Sequence, residues 1–185
     1  MADDSSFIDL VKEASVSFLA DLARNRGNIR MLAAIFSYRV AHVASCHRKA
    51  CAGANLYAIP IILLHRFLTE WVFGMDLPAA TVIGKGLMID HGYGLVINKH
   101  AKIGEHCRLR HSVTIGCKTN QDGSQGPSPK IGNYVDIGTG AILIGDIHIG
   151  DNAVIGAGAV VVNNVPSKAT VVGNPAKVIR VRGTL

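Results

Sequence analysis

Between Leu77 and Val165 aliphatic residues return every six positions. In the middle of the run they are Ile131, Ile137, Leu143, Ile149, Ile155 and Val161, and glycine follows four of them directly, at Gly132, Gly138, Gly150 and Gly156. The same phase reaches back through Ile115, Leu109, Ile103 and Ile97, and before that through Ile89, Ile83 and Leu77. A helix repeats near 3.6 residues and a half-buried strand near two, so neither explains the pattern. A strict hexad marks a coil of parallel strands, each hexad supplying one short strand and one corner. The chain is expected to be mainly β: a parallel β-helix with three hexads per turn.

The period fails twice. Ile89 to Ile97 spans eight residues, and the extra two fall in Asp90-His91-Gly92-Tyr93-Gly94. Ile115 to Ile131 spans sixteen, which is two hexads plus four, and the excess falls between Lys118 and Lys130. That second stretch is Asn, Asp, Gly, Ser and Pro, the composition of a loop. A coil accepts insertions only where they project from a corner, and such projections commonly form the binding face.

A narrow stacked core has no room for large rings, and only 5% of the chain is aromatic while 20 residues are Gly. With 49% hydrophobic and 17% charged residues the chain is not disordered. The net charge of +6 reads either as a basic solvated surface or as a site for a polyanionic cofactor or acidic glycan. Zinc-finger spacing and aromatic-basic interleaving are both lacking, so nucleic acid is not an expected partner. Cys46, Cys51, Cys107 and Cys117 form no C-x-x-C pair, and Met1–Ser6 is unlike a secretory signal. Reduced thiols in a cytoplasmic protein are expected.

Residues 1–75 read as helices. Phe7, Leu10, Val11, Ala14, Phe18, Leu19 and Leu22 form one apolar face, a turn follows at Arg24–Asn28, and Met31–Cys46 carries a second helix. Arg48–Asn55 reads as a link, and a third helix follows Pro60 until Gly74. The segment Asn55–Met75 contains Pro60, His65, Arg66 and Glu70 and would span a membrane poorly. A buried helix or one lying at the inner membrane surface suits it better. Helices ahead of a coil suggest a cap over its open end. The expected division is a helical region 1–75, a coil 76–166, and a basic tail 167–185 lying back along the coil.

His91 and His111 stand two places after Ile89 and Leu109 and are twenty residues apart: eighteen for one turn, plus the two inserted. They should share a face one turn apart, at roughly 5 Å, the distance between neighbouring strands. The remaining histidines, His42, His47 and His65 in the cap and His100, His106 and His148 on the coil, read as structural or surface residues.

Several runs here resemble the serine acetyltransferase family of hexapeptide-repeat acyltransferases. They are Asp76-Leu77-Pro78, Ile83-Gly84-Lys85-Gly86, Asp90-His91-Gly92-Tyr93-Gly94, His111-Ser112-Val113-Thr114-Ile115-Gly116, Ile155–Val161 and Val172-Gly173-Asn174-Pro175-Ala176-Lys177-Val178. The resemblance implies a left-handed parallel β-helix, assembled as trimers with active sites between subunits, and acetyl-CoA as donor. Pairing of trimers into hexamers stays open. It implies His91 as general base, with Asp76, fifteen residues earlier, as its carboxylate partner. An imidazole can take the proton of a hydroxyl attacking a thioester, and a carboxylate on the other ring nitrogen fixes its tautomer. By the same resemblance the pantetheine arm lies near Gly116, Thr139, Gly140, Ala157 and Gly158, with Lys177 and Arg180 toward the phosphates. Asp90, Arg110 and His111 fall to the acceptor. No metal is implied.

The departures bear on the acceptor. Serine acetyltransferases carry an Arg-His pair ahead of their Pro-Lys-Ile segment, whereas this chain has Pro127-Ser128-Pro129-Lys130-Ile131. Without that arginine a carboxylate acceptor loses its charged partner. The helical part is also expected to be shorter than the family's, and the family's long C-terminal tail is not matched. Ser37-Tyr38-Arg39-Val40-Ala41-His42, Arg66-Phe67-Leu68-Thr69-Glu70 and Phe73-Gly74 look like the short acetyltransferases of exopolysaccharide clusters, of the colanic acid type. A sugar hydroxyl is therefore the favoured acceptor, with L-serine the alternative. Two readings from other classes compete. One is a γ-carbonic-anhydrase-like zinc hydratase using His106, His111 and Glu70. The other is a non-catalytic scaffold, which would have no reason to break phase at His91.

Overall fold

A computed structural model describes residues 2–183. Three helices lead: α1 (Ala2–Arg24), α2 (Ile29–Ala50) and α3 (Asn55–Phe67), the last preceded by a 3₁₀ turn at Ala52–Ala54 and continued by a π-helical turn at Leu68–Val72. Asn28 caps α2, its side chain accepting the Met31 N–H at 3.3 Å. Two helix boundaries differ from expectation. α2 consumes the first part of the link, and α3 begins before Pro60 instead of after it. Pro60 withholds a hydrogen bond from the Leu56 carbonyl, but both residues lie on the exposed face, where water can serve that oxygen.

Fourteen strands follow: β1 (Val82–Ile83), β2 (Met88–Asp90), β3 (Val96–Ile97), β4 (Lys102–Ile103), β5 (Arg108–Arg110), β6 (Thr114–Gly116), β7 (Lys130–Ile131), β8 (Asp136–Ile137), β9 (Ile142–Ile144), β10 (His148–Ile149), β11 (Val154–Ile155), β12 (Val160–Val161), β13 (Ala169–Val172) and β14 (Lys177–Val181). They build three sides of a coil. The first side is β1-β4-β7-β10, the second β2-β5-β8-β11-β13-β14, and the third β3-β6-β9-β12. All pairings are parallel except β13 with β14.

The hexad residues are the core. Each from Leu77 to Val161 is buried, none more than 6% exposed. They stack in register, as Ile89 on Leu109, Ile137 and Ile155, so every turn buries the same three aliphatic side chains. Full burial of one such side chain is worth about 1.5–3 kcal/mol. Regular turns are eighteen residues long, as from Ile97 to Ile115. The first break makes one turn twenty, from Ile89 to Leu109. The second makes one turn twenty-eight, from Ile103 to Ile131. The excess there is thus ten residues and not four, because no strand of the coil forms between Gly116 and Lys130. The excursion is ordered. Thr119 and Gln125 form an antiparallel bridge, the Gly126 N–H donates to the Lys118 carbonyl at 2.8 Å, and Asp122 accepts from the Ser124 N–H at 2.9 Å.

The first turn has an open edge whose backbone groups need partners, and the helices supply them from side chains. Asn25 donates to the Leu87 carbonyl at 2.8 Å and accepts the Ile89 N–H at 3.2 Å. Asp21 accepts the Leu87 N–H at 2.7 Å. Arg39 donates to the carbonyls of Ile83 and Gly84, each at 2.7 Å, and holds Asp21 in a buried ion pair at 2.9 Å. Tyr38 donates to the Thr81 carbonyl at 2.7 Å, and the His65 Nε2 meets that of Leu77 at 2.8 Å. Breaking a buried pair such as Arg39–Asp21 leaves an uncompensated charge and costs about 3–5 kcal/mol. At the other end β13 extends the second side beyond Val165, and β14 folds back on it.

Candidate active site

β2 ends at Asp90 and β5 at Arg110, and these two are register partners. His91 and His111 follow directly, leaving the second side at the same corner. Their ring centroids are 5.7 Å apart at an interplanar angle of 73°, edge to face. The sequence reading placed two imidazoles one turn apart on one face, and the structure brings them together.

The inserted residues are His91 and Gly92 themselves. The Ser112 N–H donates to the Tyr93 carbonyl at 2.7 Å, so Tyr93, not His91, occupies the corner place above His111. His91 adopts φ +67°, uncommon for any residue with a side chain. Gly92, at φ +68°, is pressed on the cap: a Cβ there would lie 2.6 Å from Met31 Sδ and from Met75 Cε. Tyr93 lies under the Arg30 guanidinium, 3.7 Å from its ring centroid, and Arg30 donates to the Phe73 carbonyl at 2.8 Å. The cap thus fixes the projection that carries His91. His91 is exposed and His111 half-buried. The His111 Nδ1 is buried without a hydrogen-bond partner among the described residues, and such atoms in folded proteins call for a functional account.

Asp90 and Arg110, expected at the acceptor, sit in a ladder of ion pairs across the second side. Asp90 accepts from Arg108 Nε at 2.5 Å and lies 3.7 Å from Arg110 Nε, while Arg110 pairs with Asp136. Arg108 did not stand out in the sequence. Its place one residue before the inward Leu109 was the available signal, since it shares an outward face with Arg110.

The residues assigned to the donor fall mostly into one line. Thr139-Gly140 and Ala157-Gly158 turn the same corner as His111-Ser112 on the two following turns. The Gly140 N–H donates to the His111 carbonyl at 3.1 Å and the Gly158 N–H to that of Thr139 at 2.8 Å. Gly140 and Gly158 have φ of +68° and +67°, and a Cβ on either would meet nothing within 4 Å. The corner below the histidines is therefore an open edge without bulky side chains, a shape that fits an extended pantetheine arm. Lys177 pairs with Val172 at the end of β13 nearest this edge, while Arg180 pairs with Thr170, farther back. Gly116 is not on the edge: it ends β6, at the far end of the third side, paired with Ile144.

Asp76 begins the third side, bridging to Val96, just past the corner that Gly74 turns above Tyr93. Its backbone joins the third side, donating to the Leu95 carbonyl and accepting from the Ile97 N–H. Its carboxyl lines a hollow of about 490 Å³ with Arg48, Arg66, Glu70, Lys99 and Gln125. No hydrogen bond joins Asp76 to His91 among the described residues. Burial, then the nearby Glu70 charge, pushes the Asp76 carboxyl above its ordinary pKa, against Arg66. Where the serine enzymes' Arg-His pair would fall, Ser128 is only 6% exposed and its hydroxyl donates to Asn98 Oδ1 at 3.1 Å.

Among the described residues no three His, Cys, Asp or Glu side chains converge as a metal site, and no helix is long and apolar enough to cross a membrane.

A three-sided coil of parallel hexads is the framework of the hexapeptide transferases, and residues 128–163 match the family described as "Bacterial transferase hexapeptide (six repeats)". The chain is 42% identical over 160 residues to the putative colanic acid biosynthesis acetyltransferase WcaB of Escherichia coli K12, covering 86% of this chain and 97% of that protein. It is 36% identical to a serine acetyltransferase of Synechococcus elongatus, over 94% of this chain and 68% of the relative. Among solved structures, soybean serine acetyltransferase apoenzyme superposes with a TM-score of 0.77 at 32% identity, covering 91% of this chain and 69% of that one. The chain belongs to the hexapeptide-repeat acetyltransferases.

Proposed function

We propose that the protein transfers an acetyl group from acetyl-CoA to a sugar hydroxyl of an exopolysaccharide or capsule precursor, on a left-handed β-helix whose active sites form between the subunits of a trimer. The observation that carries the chemistry is the His91–His111 pair at the phase break. Bound acetyl-CoA supplies a thioester carbonyl and a thiolate leaving group. His91 takes the proton of the acceptor hydroxyl as it attacks that carbonyl and returns it to the departing sulfur. The developing oxyanion falls to backbone N–H groups of the Gly-rich corner other than those of Gly140 and Gly158, which donate to the His111 and Thr139 carbonyls. The half-buried His111 packs edge to face against the His91 ring and limits its orientation.

Among the described residues no hydrogen bond joins Asp76 to His91, and we assign their pairing to neighbouring subunits. Asp76 is desolvated and already beside Glu70, so an imidazolium is the partner it lacks. This reading gives each trimer three composite sites. The division into a helical region 1–75, a coil 76–166 and a tail 167–185 belongs to the same proposal.

For the acceptor, the telling observation is Ser128. The position that would face an amino-acid carboxylate presents neither Arg nor His, and its hydroxyl is turned inward onto Asn98. The similarity to WcaB over nearly its whole length supports a glycan. L-Serine is the second reading, supported by the serine acetyltransferases among the relatives and structural neighbours. An acceptor screen that follows thiol release from acetyl-CoA tests the choice. Uronate and neutral sugars should give turnover and millimolar L-serine little; robust serine turnover would overturn the glycan reading.

A further inference from the structure

We propose that the outward surface of the second side is a docking face for an acidic oligosaccharide, seated on Tyr134 and running to the His91–His111 corner. This inference rests on the glycan reading above and extends it from one hydroxyl to a stretch of polymer.

The opposite corner of that side carries an aromatic platform. Tyr134 is 57% exposed, and its ring stacks on His106 at 5.0 Å and 11°. Both residues hold left-handed backbone, φ +57° and +56°, where rings are uncommon and Gly or Asn are at ease. The same backbone recurs at this corner on the other turns, at Gly86, Asn152 and Lys168, so it belongs to the coil; what is particular here is that two stacked rings occupy it. His106 lies flat over Gly86, where a Cβ would fall 2.3 Å from the ring. The platform is therefore backed by a rigid pedestal.

Around it lies a hollow of about 300 Å³ lined by Arg24, Arg108, Asp136, Asn152 and Arg182 as well as the two rings. Arg24 spends one N–H on the Gly86 carbonyl and Arg108 its Nε on Asp90, so both guanidinium groups keep further donors. The Arg182 side chain has no ion-pair or hydrogen-bond partner among the described residues. With Arg110, four guanidinium groups face two carboxylates, Asp90 and Asp136. A guanidinium fork matches a carboxylate, and the apolar face of Tyr matches the C–H face of a pyranose while its hydroxyl stays wet. The two features together select a uronate-bearing sugar over a neutral sugar or a bare polyanion.

The platform and the catalytic corner bound the same short strand. From His106 to His111 is five residues, about 16 Å at the rise of a strand. Arg108 and Arg110 project between them. A short oligosaccharide held at Tyr134 would cross both arginines and present a hydroxyl at His91.

Calorimetric titration of the full-length protein with a mannuronate hexasaccharide, a neutral cellohexaose and inorganic polyphosphate tests the face. Tyr134→Asn suits the backbone at this position and removes only the ring; circular dichroism and oligomer size should be unchanged. The uronate oligomer should bind the wild type, and Tyr134→Asn and Arg182→Ala should each weaken it by about tenfold or more. Transfer to a monosaccharide acceptor should be unaltered. Absence of uronate binding, equal binding of cellohexaose, or binding of polyphosphate with no dependence on Tyr134 would overturn the docking face. If acetylation of a sugar is found while Tyr134→Asn binds normally, the docking face alone fails; if serine is the sole acceptor, the functional reading itself fails.

Discussion

Asn25→Leu isolates the contribution of the helical cap to the coil. The Asn25 side chain is buried, at 3% exposure, and serves three backbone groups. It donates to the Leu87 and Asp21 carbonyls and accepts from the Ile89 N–H. Asp21 keeps a helical partner in the Asn25 N–H, so its loss adds little. Leu87 and Ile89 lie on the open edge of the first turn and would be left with a buried acceptor and a buried donor unpaired. Each such group costs about 1–3 kcal/mol, or about 2–6 kcal/mol for the two. For a chain of 185 residues a loss of 1 kcal/mol lowers Tm by about 2–4 °C, so the expected fall is about 4–24 °C. Scanning fluorimetry at one fixed protomer concentration measures it, with Arg26→Leu, an exposed position of the same turn, as control. Acetyl transfer should fall with stability, because Ile89 stands two residues before His91. A fall of less than about 1 °C, or an equal fall in both variants, would refute the assignment of the edge bonds to the cap.

Two further predictions follow from single residues. His91→Ala and Asp76→Ala should each be inactive alone, but refolding them together in equal amounts should restore about a quarter of wild-type sites if each site takes one residue from each neighbour; recovery of no activity would return the pair to one chain. Burial holds the His65 ring below its ordinary pKa, outweighing the Leu77 carbonyl, and does the same to His42. The unfolded chain then binds more protons below about pH 6.5, so stability should be level above that pH and decline as pH falls through it; His65→Gln should flatten the decline in a urea titration series, and an unchanged slope would count against it.

The coil was legible because its period is imposed by geometry. Ile131, Ile137 and Leu143 could only be six apart if each ended one side of a triangle, and burial follows from that alone. His91 and His111 were legible for the same reason, since counting turns is counting contacts in a solenoid. What escaped was decided across turns by side chains whose spacing has no period. Asn25, Asp21 and Arg39 meet the first turn of the coil about sixty or forty-five residues away, and nothing local marks them. The excursion after Gly116 was measured in hexads, but residues 117–129 close on themselves and make no turn of the coil. Asp76 is paired with His91 by the family resemblance alone, and nothing in the local sequence says whether the two meet within one chain or between chains.

The position of the phase break sets an order along the coil. His91 and Gly92 project from the first turn, against the cap, and His111 lies on the second. The two following turns each add an open corner, at Gly140 and Gly158. Reactive end and groove length are therefore independent dimensions. If the corner holds the donor as proposed, turns added or removed toward Val165 change the length of that edge while the geometry at the imidazoles stays as the cap holds it.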